Sequence, residues 1–290
     1  MSTALNSPPA DQIPNDGLAL PPRIFDRICR LVQERAGIEL GDGKQALVSA
    51  RLGKKQRESG GATYEEYLNL VEGDRTGESL VAMIDALTTN YTSFLRESSH
   101  FDLLKQILPA LASRFSIPIW CAAAATGEEP YTLAMTMLEA LGSEAHSRCR
   151  VVATDISTLA LASARRGVYP LERLKGMPRA WFSKYWLRGE GQSAGLCKVK
   201  PEVARMVEFR RLNLIDPFLH PRIYPIVFCR NVMIYFNKAT QEKVVARMAT
   251  FLEPGGYLFV GHSEGLTGIV HTLESVAPAV YRKPGAGDFK

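Results

Sequence analysis

Before Ile117 the chain offers no run that reads as a β-strand. After it, short apolar runs and helical stretches take turns almost to the end of the 290 residues. That asymmetry constrains the fold more than any other feature. Strands that alternate with helices predict a parallel sheet covered on both faces, and a purely helical stretch ahead of them predicts a separate helical layer. The expected strands are Ile117 to Ala122, Arg150 to Ile156, Met206 to Leu212, Pro225 to Cys229 and Tyr257 to Val260. The helices between them are Glu128 to Leu141, Ser157 to Arg166 and Lys238 to Leu252.

In the helical part, Phe25, Ile28, Cys29 and Val32 recur at three and four residues, one face of a helix that Gly37 ends. Lys44 to Glu58 forms a second helix with Leu47, Val48 and Leu52 apolar. Thr63-Tyr64-Glu65-Glu66 is a capping box for a third, with Tyr64, Tyr67, Leu68 and Val71 as its buried stripe, and a fourth begins near Glu78. Residues 1–20, with Pro8, Pro9, Pro14 and Gly17, carry too few apolar side chains to repay ordering and are expected to be flexible. The segment from about 170 to 200 interrupts the strand–helix rhythm. It is rich in aromatic and basic residues, with Gly189, Gly191 and Gly195 in turns, and reads as a small inserted subdomain built on a hairpin. The expected division is a flexible segment 1–20, a helical domain 21–89, a linker and helix 90–115, and an α/β domain 116–285.

No stretch reaches the roughly eighteen uninterrupted apolar residues of a membrane span. The N-terminus has no basic region ahead of an apolar one, so a cytoplasmic protein is expected. Cys29, Cys121, Cys149, Cys197 and Cys229 share no metal-ligand or redox spacing. They read as reduced thiols, and neither a disulfide nor a metal is expected. A net charge of +5 is too small to imply nucleic acid.

Four segments carry candidate chemistry. In Ile119 to Tyr131 a strand runs into Ala122-Ala123-Ala124-Ala125-Thr126-Gly127 and then a helix that opens with Glu128-Glu129. Ligands of open α/β sheets bind outside the carboxyl ends of the strands. The dinucleotide pattern G-x-G-x-x-G is missing, and carboxylates stand where a pyrophosphate would lie, an arrangement that repels phosphate and suits a cationic ligand. The plainer alternative is a tight helix start. Asp155 ends the next strand; such an acid either bonds ribose hydroxyls or caps the following helix. Asn90, Thr92 and Arg96 follow an amphipathic helix, and Arg96 either holds a carboxylate bidentately or pairs with a surface acid such as Glu97. In Phe228-Cys229-Arg230-Asn231-Val232-Met233-Ile234-Tyr235-Phe236 an apolar strand ends at Arg230-Asn231; Asn231 is otherwise a turn residue and Tyr235 a packing residue. His262 reads as a loop residue at a strand end.

Taken in order, these words resemble the CheR-type chemotaxis receptor methyltransferases, which are protein-glutamate O-methyltransferases. The matching words are Thr88-Thr89-Asn90-Tyr91-Thr92 with Phe94 and Arg96-Glu97; Trp120 through Tyr131; Ala153-Thr154-Asp155-Ile156; Phe228 through Phe236; and Gly261-His262-Ser263-Glu264 after Pro254-Gly255-Gly256. The likeness spans about Phe25 to Arg282. It implies a Rossmann-like class I methyltransferase domain with a small inserted β subdomain, preceded by an all-helical N-terminal domain. It implies S-adenosylmethionine as cofactor, S-adenosylhomocysteine as product, and glutamate side chains of chemotaxis receptors as substrate. By the same likeness Asn90, Thr92, Arg96, Glu128, Asp155, Asn213, Leu214, Arg230 and Asn231 contact the cofactor. Asp155 holds the ribose, Asn213 lies near the adenine, and Arg96 and Tyr235 face the reacting centre. Two departures stand out. The family usually has a polar residue within the stretch occupied here by Ala122 to Ala125, and a second Phe is common where Leu95 stands. Loss of one hydroxyl is expected to weaken cofactor binding by about 0.5–1.5 kcal/mol.

Rival readings are a small-molecule methyltransferase on the same fold, a non-catalytic module that binds the cofactor, and a nicotinamide dehydrogenase. The helical domain argues against the first and the missing glycine pattern against the last. In the Lys44 to Glu58 helix, Arg51, Lys54 and Lys55 share a face and Arg57 adds to it, a guide toward an acidic receptor surface or simply a solvated face. Many relatives dock a short receptor C-terminal peptide on the inserted subdomain, by strand addition in this reading. No nucleic acid, no membrane insertion and a monomer are expected.

Overall fold

The computed structural model describes residues 20–60, 63–217 and 222–285. The expectation of a flexible segment 1–20 lies almost wholly outside the described residues. The chain divides into two compact units. One holds Gly41–Leu87 and the residues up to Arg30; the other holds Leu31–Leu40 and Thr88 onward.

The first unit is helical. Gln45–Glu58, Tyr64–Gly73 and Glu78–Leu87 are α-helices, as is Pro22–Ala36, within which the division falls. The capping box at Thr63 forms as expected: Thr63 Oγ1 accepts from the Glu66 N–H at 3.2 Å, and Glu66 accepts from the Thr63 N–H at 3.1 Å. The second helix begins at Gln45 rather than Lys44, because Asp42–Lys44 winds as a 3-10 turn. Its apolar stripe also shifts: Val48 and Leu52 are buried with Gly53 and Gln56, while Leu47 is 42% exposed.

The second unit is an α/β domain. Its strands are β1 (Ile117–Cys121), β2 (Cys149–Asp155), β3 (Val168–Pro170), β4 (Trp186–Arg188), β5 (Leu196–Val199), β6 (Val207–Arg211), β7 (Tyr224–Cys229), β8 (Leu252–Val260), β9 (Glu274–Ala277) and β10 (Val280–Arg282). Seven form one sheet in the order β6-β2-β1-β7-β8-β10-β9. The run from β6 to β8 is parallel; β10 and β9 are antiparallel. The closing hairpin is not evident in the sequence, since its strands are short and meet at Ala279, a non-glycine residue at φ 58°. Central strands β1 and β7 are buried along their whole length, which explains their unbroken apolar runs. Two apolar layers cover the sheet, one around Phe101, Leu133, Met137 and Phe259, the other around Trp120, Val227, Val245 and Met248.

The insertion is a three-stranded antiparallel sheet in the order β3-β5-β4, with the helix Arg179–Tyr185 ahead of β4. Its hairpin turn lies between Arg188 and Leu196, where the glycines placed it. No helix among the described residues is long and apolar enough to cross a membrane.

Candidate active site

The carboxyl ends of β1, β2 and β7 open onto one group of loops, and the sheet order brings segments far apart in sequence together there. After β1, the small residues let the backbone turn tightly. Gly127 stands at φ 100°, and a Cβ there would come within 2.7 Å of Tyr169 Oη. That hydroxyl donates to Thr126 O at 2.7 Å and fastens the turn to the inserted sheet. Asp155, 8% exposed, ends β2 and braces the same turn: Oδ2 accepts from the Ala125 N–H at 2.8 Å and Oδ1 from the Ser157 N–H at 2.9 Å. Ser157, not Asp155, caps the helix Thr158–Arg166, through Oγ and the Ala160 N–H. Asn90 approaches that hydroxyl at 3.5 Å. Asp155 is therefore held at the carboxyl end of β2 by backbone donors from the turn after β1 and from Ser157.

Glu128 and Glu129 open the next helix and are both buried, at 1% and 8% exposure. They diverge from there. Glu128 accepts from Thr126 Oγ1 at 2.6 Å and has Arg173 at 3.8 Å, a loose pair. Burial pushes its carboxyl above the usual carboxylate range, against the pull of Thr126 and Arg173. A cationic group beside it would stabilise the charged form of this carboxyl. Arg173 also donates to Thr92 O at 3.1 Å, tying Thr92 to Glu128. Glu129 turns the other way, toward Arg230.

Arg230, at the end of β7, has a fully buried side chain. It donates to Glu129 Oε2 at 2.7 Å, to Glu97 Oε2 at 2.8 Å and to Arg96 O at 2.6 Å. The guanidinium is thus engaged with protein groups, and it fixes the end of β7 against the turn that carries Arg96 and Glu97. Burial would raise Glu97, but the Arg230 guanidinium prevails and holds its carboxyl below the ordinary value. Burial raises Glu129, with Arg230 opposing.

Asn231 follows at φ 58° and donates from Nδ2 to Glu97 Oε1 at 3.3 Å. Its backbone N–H donates to Glu264, which also accepts from the N–H groups of Gly261 and Ile234, at 2.6, 2.7 and 3.1 Å respectively. A Cβ on Gly261 would lie 2.5 Å from Asn231 Nδ2, so only glycine fits. Tyr235 is half-buried, and its carbonyl accepts from the Glu39 N–H at 2.8 Å, beside a bridge between Ile38 and Phe236. Asn213 and Leu214 follow β6. Asn213 Nδ2 donates to Arg35 O at 2.7 Å, and Leu214 is buried with Trp120 and Ala122.

Arg96 is not paired with Glu97. Nη1 donates to Tyr91 O at 3.0 Å and the guanidinium lies 5.7 Å over the Tyr91 ring; it forms no ion pair among the described residues. Of the described residues other than glycine, five have positive φ, and four of them, Leu95, Glu97, Ala125 and Asn231, fall in these loops. Such backbone concentrates at functional sites, where surrounding contacts hold it. Glu97, Arg173 and Glu264 take part here although reading the sequence assigned them no role in the site, and Glu129, read beside Glu128 as a carboxylate facing a ligand, is bound instead to Arg230. Only the Gly261-His262-Ser263-Glu264 word hinted at Glu264.

Known proteins match this arrangement over nearly the whole chain. The family described as CheR methyltransferase, SAM binding domain, matches residues 90–281, and the one described as CheR methyltransferase, all-alpha domain, matches residues 23–88. The chain is 41% identical over 265 residues to the chemotaxis protein methyltransferase of Salmonella typhimurium, covering 91% of each chain. It is 40% identical over 265 residues to that of Escherichia coli, covering 91% of this chain and 92% of that one. It is also 40% identical over 259 residues to chemotaxis protein methyltransferase 2 of Pseudomonas aeruginosa, covering 89% and 91%. With both domains matched in order, and with carboxylates rather than a phosphate-binding glycine loop at the strand ends, the chain belongs to the CheR family of S-adenosylmethionine-dependent methyltransferases.

Proposed function

We propose that the enzyme transfers a methyl group from S-adenosylmethionine to glutamate side chains of chemotaxis receptors, forming the methyl esters used in sensory adaptation. The observation that carries the substrate class is Arg96, a guanidinium stacked on Tyr91 beside the cleft and without an acid partner among the described residues. Such a group suits a substrate carboxylate, which it can hold through two parallel hydrogen bonds.

Bound S-adenosylmethionine supplies a methyl group already activated on a sulfonium. Asp155 is placed for ribose hydroxyls, Glu128 for the cationic end, and Asn90 and Thr92 line the same cleft. A glutamate carboxylate, with an ordinary pKa near 4.3, is anionic at neutral pH and needs no general base. The protein's work is then alignment and exclusion of water, with Arg96 orienting the carboxylate and Tyr235 lining the transfer pocket. The test is methyl-labelled cofactor with a receptor signalling domain. Base-labile label on the receptor is expected, and Arg96→Ala should cut transfer at least tenfold with native circular dichroism. Unchanged turnover in that variant would remove Arg96 from the reaction.

The helical segment 21–89 is assigned to receptor recognition through the basic helix Gln45–Glu58, and the enzyme to the cytoplasm as a monomer. The β4 edge of the inserted sheet, with Leu187 exposed, is assigned to a receptor C-terminal peptide by strand addition. A titration with such a peptide that shows no heat would place this chain among the relatives that do not bind one.

A further inference from the structure

Just ahead of and within the helix Ser99–Ile107, Glu97 and His100 stand three residues apart. His262 follows β8 and reaches the same point. One ligand atom from each lies within 4.8 Å of the others. We propose that Glu97, His100 and His262 form a binding site for a single transition-metal cation of the Zn²⁺ type.

His100 provides the strongest reason. It is 2% exposed, and its Nδ1 makes no hydrogen bond among the described residues. Nε2 lies 3.4 Å from Pro278 O. A carbonyl oxygen only accepts, so Nε2 carries the hydrogen and Nδ1 keeps its lone pair. An imidazole held through one nitrogen by a carbonyl, with the other nitrogen open, is the usual arrangement of a metal-ligating histidine. Here that lone pair faces Glu97 Oε2 at 3.7 Å, acceptor against acceptor. A metal cation satisfies both groups at once.

The spacing is close to what such an ion requires. Ligands at about 2.1 Å in a tetrahedral site stand about 3.4 Å apart, so side-chain movements of about 1 Å close the present arrangement. Imidazole and carboxylate are ordinary Zn²⁺ ligands. His262 is exposed, with its ring 4.7 Å from that of His100, and gives the ion both an entry and an open position for water. The charges facing the site are Glu97, Glu129 and Arg230. Arg230 Nη2 lies 2.8 Å from Glu97 Oε2 and opposes a cation there, so the ion must share that carboxylate with the guanidinium. Two neutral groups also lie there: Ser99 Oγ is 3.5 Å from His262 Nε2, and the His262 N–H donates to Glu97 Oε2 at 3.2 Å. His262 is separated from the other two by more than 160 positions in sequence, which hides the cluster from any spacing rule.

The full chain, stripped with a chelator, should be titrated with Zn²⁺ against a chromophoric chelator. One ion per chain at micromolar or tighter affinity is expected. His262→Ala, at an exposed position and with its fold checked by circular dichroism, should weaken binding at least tenfold. Co²⁺ should give visible d–d bands without near-ultraviolet thiolate charge transfer, and those bands should vanish in His262→Ala. Absence of stoichiometric binding, equal affinity in the variant, or a thiolate band showing that a cysteine holds the ion would each overturn the proposal.

Discussion

Lys54 and Lys55 in the helical unit reach Glu58 at 3.7 and 3.1 Å, distances not far from those between Arg230 and its two carboxylates. The surroundings differ. Lys54 is 78% exposed and Glu58 48%, whereas the Arg230 side chain is wholly buried. Water already solvates the lysine pairs, so forming them gains little. Around Arg230 the charges have no solvent to return to, and removing one leaves the others stranded. Ion pairing thus has two meanings: one set of cations stays at the solvent, and the other is part of the frame that holds the loops after β7 and β8.

The sharpest way to break that contrast is Arg230→Met, which strands Glu97 and Glu129 and should destabilise the catalytic unit by about 3–5 kcal/mol. Urea unfolding would measure it. Adding Glu129→Gln should recover part of the loss, and no recovery would mean that the ion pair is not what Arg230 contributes.

Next comes pH. His100 is held neutral, its pKa falling from the ordinary 6.5 to about 4 on folding. Its contribution is therefore complete above pH 6.5 and lost as pH falls toward 4, on the order of 3 kcal/mol in all. Glu97, depressed below its ordinary 4.5, adds a further loss only below that value. His100→Phe in chelator-treated protein should flatten the upper part of the acid limb and leave the lower part. An unchanged profile would show that His100 does not govern it.

A smaller effect is expected at the cofactor. Asp155→Ala should weaken S-adenosylmethionine by about 1–3 kcal/mol in calorimetry. Equal affinity would limit Asp155 to bracing Ala125 and Ser157.

The smallest effect in stability is expected from Lys54→Glu with Arg57→Glu: no measurable shift in the urea midpoint, but slower receptor methylation and less sensitivity to salt than the wild type. These positions are better suited than Arg51, whose Nη1 donates to Leu87 O at 2.7 Å and ties two helices together. Equal salt sensitivity would leave the helix a solvated face.

What the sequence shows follows the same division. The strands β1 and β7 are legible because burial along their whole length demands unbroken apolar runs, Asp155 because it ends the β-branched run of β2, and Glu128 because it opens the helix that follows β1. The partners of Arg230 are not, since Glu129 and Glu97 are 101 and 133 residues away and only the sheet order unites them. Adjacency even points the wrong way: Glu97 follows Arg96 in sequence, yet it is Arg230 that it binds. Arg173 was hidden for the same reason, reaching Thr92 and Glu128 from the inserted sheet. The β9–β10 hairpin was missed because short edge strands carry little periodic signal.

Glu264 has a consequence of its own. The N–H groups of Gly261, Asn231 and Ile234 converge as an anion receptor of the kind that proteins use to cradle phosphate. Here the receptor is furnished with its tenant: the chain's own carboxylate occupies it, and the glycine that makes the close approach possible leaves no space for anything larger. One carboxylate therefore clasps the loop after β7 to the loop after β8, since Asn231 and Ile234 belong to the first and Gly261 to the second. Removing that side chain would leave three converging donors without their acceptor at once, so the two loops keep or lose their order together.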